Sequence, residues 1–126
     1  MITNNELQSL VTLYRPTGPN ELALVAQSGY TKWPPRLPEQ PIFYPVTNEA
    51  YAAQIAKEWN VPASGSGYVT RFYVKKSFMD RYPIQCVGGE IHTEWWIPAE
   101  EHEEMNANIV GLIEVIAEFH PESSPS

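Results

Sequence analysis

Arg15 and Glu94 are the two residues of this chain whose type and setting most invite chemistry. Arg15 follows a β-favouring run, LVTLY, and stands just before Pro16, so its guanidinium is expected to project from a rigid strand end. Glu94 lies inside IHTEWWIP, where a carboxylate between bulky aromatics should be partly desolvated. Strand alternation puts His92, Glu94 and Trp96 on one face, with Thr93 and Trp95 on the other. Each residue also has a plainer reading. Glu94 is then an exposed sheet residue, and Arg15 is one half of an ion pair with any of fifteen acids. The expectation carried forward is that the two converge on one cleft.

Other chemistries are poorly served. His92-Thr93-Glu94 matches the H-x-E of nucleobase deaminases, but that reaction needs a downstream PCxxC pair to hold zinc. The only cysteine, Cys86, lies upstream. It reads as a small buried hydrophobe on a strand, and a single cysteine excludes an intramolecular disulfide. His92, Glu94 and His102 lack a fourth ligand, so no metal site is expected. GxGxxG, P-loop, GxSxG and HExxH patterns are absent. The formal charge of −7 opposes nucleic-acid binding, which needs clustered Lys and Arg. Acid gathers at Glu100, Glu101, Glu103 and Glu104, which read as a solvated helix face. No apolar run approaches the roughly 20 residues that span a bilayer. The first residues carry no basic leader, so a cytoplasmic location without membrane contact is expected.

The elements that must position Arg15 and Glu94 follow from periodicity. Pro19 opens a helix whose inner stripe is Leu22, Val25 and Ala26, and Gly29 stops it. WPPRLPEQP holds four prolines in nine residues and cannot be a central strand. Asn48 or Thr47 caps a second helix, whose stripe Tyr51, Ala52, Ile55, Ala56 and Trp59 faces a core. YVTRFYVKK alternates as a strand, SFMDRY is a one-turn helix, and strands flank the Gly88-Gly89 turn. An acidic helix follows Pro98, and a closing strand ends at Phe119. Leu13, Val25, Ile55, Phe72, Val74, Ile97, Ile113 and Val115 are the expected core. Runs of strands without long crossover helices indicate an α+β fold. The expected arrangement is a single domain over residues 1–119, with two small, mostly antiparallel or mixed sheets, short helices, and a flexible tail at 120–126.

LYRP, PPRLPEQPIFYPV, YAAQIAKEWN, GYVTRFYV and EWWIPAEE together resemble a small bacterial family labelled "ADP-ribosylation/crystallin J1". The layout is similar to the ADP-ribosyltransferase fold, a split pair of small sheets gripping NAD. The crystallin J1-like hydrolases are instead large and all-helical. The resemblance implies an NAD-dependent mono-ADP-ribosyltransferase or an NAD-cleaving enzyme. Arg15 would be the first-strand arginine that clamps the pyrophosphate, and Glu94 the catalytic carboxylate before Ile97-Pro98. Glu94 would hold the ribose 2′-hydroxyl and stabilise an oxocarbenium-like ribose. Tyr44 or Tyr51 would stack on nicotinamide, and Arg36 and Arg71 would join Arg15 in a local basic patch for NAD or a related nucleotide. Where that fold carries Ser-Thr-Ser, this chain has Phe43-Tyr44-Pro45. The alternative is a non-catalytic protein-binding module on the same fold, presenting the acidic helix and the proline-rich loop.

Overall fold

The computed structural model describes residues 9–36 and 39–121. Residues 122–126, most of the expected tail, lie outside them. The fold is α+β with antiparallel ladders throughout. Strand β1 (Leu10–Thr17) pairs with β3 (Gly67–Lys75), which pairs with β7 (Ile109–Phe119), giving a three-stranded sheet of order β1-β3-β7. Two short ribbons complete the strands: β2 (Ile42–Phe43) with β6 (Ile97–Pro98), and β4 (Gln85–Cys86) with β5 (Thr93–Glu94). Single bridges, Tyr14 to Val46 and Val46 to Glu94, tie β5 to the edge of β1. Cys86 is exposed on its ribbon, against the expectation that it is buried, because a two-residue strand at the surface has no second layer over it.

Alternation along β1 and β3 divides the interior. Leu13, Phe72 and Val74 point to one face, where Val25, Trp33, Phe43, Phe78, Trp95, Ile97, Met105 and Ile113 close over them. Tyr14 and Val69 point to the other, against Val46, Ala52, Ala56 and the partly buried Tyr51, Ile55 and Phe119. Helix α1 (Pro19–Gln27) covers the first face through Val25. Proline at its first turn sacrifices no hydrogen bond, and Gly29 and Tyr30, at φ 77° and 61°, turn the chain off its end. The Tyr30 carbonyl then accepts from the Ile113 amide, pinning the following segment to β7.

The second face is covered by one continuous helix. It runs as α2 (Glu49–Ile55), a π-helical turn over Ala56–Asn60 and α3 (Val61–Ser64). The Asn48 side chain caps it by accepting from the Tyr51 amide. Pro62 has no N–H for the Glu58 carbonyl, and the Val61 amide bonds instead to the Ala56 carbonyl, five residues back. That wide turn corrects one expectation: Ala52 and Ala56 are buried, but Trp59 is rotated outward and 72% exposed. Gly67 starts β3 against this turn, and a Cβ there would meet the Ala56 carbonyl oxygen at 2.4 Å. Val115 is also exposed, although Ile113 two residues before it on edge strand β7 is buried, and Ala26 lies on the outer side of α1. Short helix α4 (Lys76–Met79) buries Phe78 and Met79, and a 3-10 turn (Ala99–Glu101) leads into α5 (His102–Ala107).

Candidate functional site

The strand bridges decide where Arg15 and Glu94 go. Bridged residues share a face of a ladder, so Tyr14, Val46 and Glu94 point the same way and Arg15, the neighbour of Tyr14, points the other. The side-chain partners agree. Arg15 and Glu94 have no hydrogen-bond partner in common, and the expected single cleft is not formed.

On the first face, Arg15 grips Glu21 with two parallel bonds, Nε to Oε1 at 2.7 Å and Nη2 to Oε2 at 3.0 Å. The chain reverses at Gly18-Pro19, which carries Glu21 in the first turn of α1 back beside β1. Thr17 adds its hydroxyl to Glu21 Oε1 at 3.0 Å. Arg36 Nη1 stands 3.7 Å from Glu21 Oε2, too far for a hydrogen bond. Phe43 lies beneath both cations, 4.4 Å from the Arg15 guanidinium carbon and 5.6 Å from that of Arg36. Burial pushes the Glu21 carboxyl upward. The Arg15 charge and hydrogen bond, the Thr17 hydroxyl and Arg36 outweigh it and hold Glu21 below the usual carboxylate value. His102 packs edge-on to Phe43 at 4.9 Å between ring centres, and its Nε2 donates to the Trp33 carbonyl at 3.2 Å. Burial holds that imidazole below its usual pKa; the nearby arginines reinforce the shift and its backbone hydrogen bonds only partly oppose it.

Above this cluster lies an open groove of about 900 Å³ between α1, the Thr31–Arg36 segment and α5. Its floor is fixed by Asn106, whose side-chain amide accepts from the Trp33 amide and donates to the Trp33 carbonyl, each at 2.9 Å. Tyr44, which follows Phe43 in the chain, is 42% exposed.

On the second face, Glu94 is 8% exposed and receives two neutral donors. Tyr51 Oη donates to Oε1 at 3.0 Å and Trp96 Nε1 to Oε2 at 2.8 Å. Burial, and then the hydrogen bond and charge of Glu94, push the Tyr51 phenol up to about 12. Tyr51 stacks on His92 at 4.8 Å. The His92 ring accepts from the Gly89 amide at Nδ1, 2.8 Å, which leaves Nε2 to donate to Gln54 Oε1 at 2.9 Å. Both its nitrogens are thus engaged. A shallower groove of about 370 Å³, lined by Tyr51, Gln54, Ile55, Trp59, Val87 and His92 with Glu58, opens beside it.

The sequence-predicted site therefore separates into three. Arg15 and Arg36 meet around Glu21 on one face. Tyr51 and Glu94 meet on the other. Arg71 lies apart, paired to Glu114 at 3.2 Å on β7. His102 and His92 belong to different faces, and among the described residues no group of three His, Cys, Asp or Glu side chains could hold a metal. No helix among the described residues is long and apolar enough to cross a membrane. Glu21, Trp33 and Asn106 escaped the sequence reading. The signal for Glu21 was its place six residues after Arg15 across a Gly-Pro reversal. The chain matches no protein-family model, no curated protein and no solved structure.

Proposed function

We propose that this domain acts by binding a protein partner and does not turn over NAD. The observation that carries this reading is the separation of Arg15 from Glu94. A transferase of the expected kind must address one dinucleotide with both a pyrophosphate clamp and a carboxylate at the ribose. Here the two side chains face opposite ways, and the Arg15 fork is already spent on Glu21. The binding surface we favour is the one opened by the π turn. Trp59 at 72% and Val87 at 46% exposure stand there beside Tyr51 and His92. A large exposed indole near other apolar side chains is the usual composition of an interface anchor. The exposed carboxylate Glu58 lines it, in a chain of net charge −7. The complementary partner is an apolar protein segment bordered by Lys or Arg.

A second reading, an NAD-cleaving enzyme built on Glu94, draws support from one contact. Tyr51 and Trp96 orient a nearly buried carboxylate, as a group that stabilises a cationic ribose requires. Incubation with millimolar NAD separates the two. The binding module releases no nicotinamide, and it captures a partner that Trp59→Ser loses and that high salt weakens. Nicotinamide release by the wild-type protein that Glu94→Gln abolishes would overturn the binding reading in favour of the enzyme.

A further inference from the structure

The groove between α1 and α5 contains a cation that makes no hydrogen bond among the described residues. The Arg36 side chain is only 9% exposed, yet among the described residues none of its nitrogens makes a hydrogen bond, and its Nε is fully enclosed without a partner. Enclosing a guanidinium donor without a partner is unfavourable, and the Nη groups, which are not enclosed, are left to the groove. Its two compensations are Glu21 at 3.7 Å and the Phe43 ring. Glu21 already accepts from Arg15 on both oxygens and from Thr17 on one, and Arg36 stays beyond hydrogen-bond distance of it. Two guanidiniums thus share one carboxylate, and the cluster retains one positive charge. Burial, reinforced by the Arg15 charge, pulls Arg36 below the ordinary guanidinium value, as an undercompensated cation requires.

Two further atoms of the same floor are also buried without partners, Trp33 Nε1 and His102 Nδ1. The indole is a donor. His102 donates through Nε2, so its Nδ1 carries the lone pair and is an acceptor. Trp33, Arg36 and His102 all line the groove, whose walls add Leu24, Pro34 and Ala99.

We propose that this groove is a binding site for a small monocarboxylate with an apolar body. The carboxylate would take the bidentate fork of Arg36 and bring the cluster to neutrality, which a phosphate dianion would overshoot. The apolar body would rest on Leu24, Pro34 and Ala99. The site lies on the face opposite Glu94 and stands independently of the protein-binding reading.

The test uses mandelate, with phenylacetate, mandelamide and inorganic phosphate as controls, by calorimetry and by following the indole N–H resonances. Mandelate should bind and shift the Trp33 indole proton. Phenylacetate should bind as well, and mandelamide and phosphate not detectably. Arg36→Met should lose at least tenfold in mandelate affinity while unfolding at a urea midpoint no lower than that of the wild type, because the variant removes an unbonded buried charge. Arg36→Lys, which keeps charge but loses the fork, should also bind more weakly. Equal binding of mandelate and mandelamide, or stronger binding of phosphate, would overturn the carboxylate assignment. A lowered urea midpoint in Arg36→Met would make Arg36 a structural residue and sink the site.

Discussion

Glu21 is the residue on which the first face depends, and replacing it with glutamine tests the reasoning most directly. The substitution preserves shape and removes one charge. It leaves Arg15, whose side chain is 13% exposed, and Arg36, at 9%, facing each other over Phe43 with no carboxylate between them. Removing one partner of a buried pair costs about 3–5 kcal/mol. Glu21 itself keeps 22% exposure, so water recovers part of the loss, and the lower end, about 3 kcal/mol, is expected. Because the Glu21 carboxyl is held below its ordinary value in the folded chain, its contribution is full above the unfolded carboxylate pKa and disappears as pH falls through the folded one. Urea unfolding from pH 7 down to about 3 should therefore show wild type and Glu21→Gln converging on the acid side, with unchanged m-values. A loss below about 1 kcal/mol at pH 7, with parallel acid limbs, would show that Glu21 neither neutralises the arginines nor is perturbed by them.

Two further measurements bear on the frame. Phe72→Ala should cost about 3–5 kcal/mol in urea unfolding, whereas Val115→Ala should cost under about 0.5, since Phe72 is fully buried and Val115 is 42% exposed on an edge strand. Similar losses at the two positions would contradict the placement of β7. The ultraviolet difference between wild type and Tyr51→Phe should show almost no phenolate at about pH 10, where an ordinary tyrosine is half ionised, and Glu94→Gln should move the step only part of the way back, because burial, the larger cause, remains. A Tyr51 step near the ordinary value in the wild type would mean that the bond to Glu94 is not formed in solution.

Much of this frame was legible in the residues. The alternation of YVTRFYVKK placed Phe72 and Val74 in the core, and the Tyr51–Ala56 stripe placed its helix on the sheet. Local periodicity sufficed there because each signal and the contact it specifies lie on the same element. Trp59 was misplaced because a 3.6-residue period carried past Ile55 cannot register an extra residue in the turn, although Pro62 marked the break. The divergence of Arg15 and Glu94 was hidden for a different reason. Parity along one strand ranks its own side chains, but the relative facing of two distant strands is set by the pairing at Val46, which joins them. A shift of one residue in either bridge would have put the two on one face.

The two faces also handle buried charge in opposite ways, and this separates their roles. Glu94 on the second face has no ion pair among the described residues, but both its oxygens accept a hydrogen bond from a neutral donor. A carboxylate so held is compatible with a finished structural element, and nothing about its bonding calls for a ligand. The first face is unfinished by the same measure. Contacts with Phe43 are worth about 0.5–2 kcal/mol for each cation, against a desolvation cost of several kcal/mol per ion. Arg15 makes up the difference through its paired bonds to Glu21, and Arg36 does not. Packing alone gives no reason to hold a guanidinium there, because a methionine would fill the same space over Phe43 at lower cost. An anion received in the groove supplies one, and it would act on the face that Glu94 does not reach.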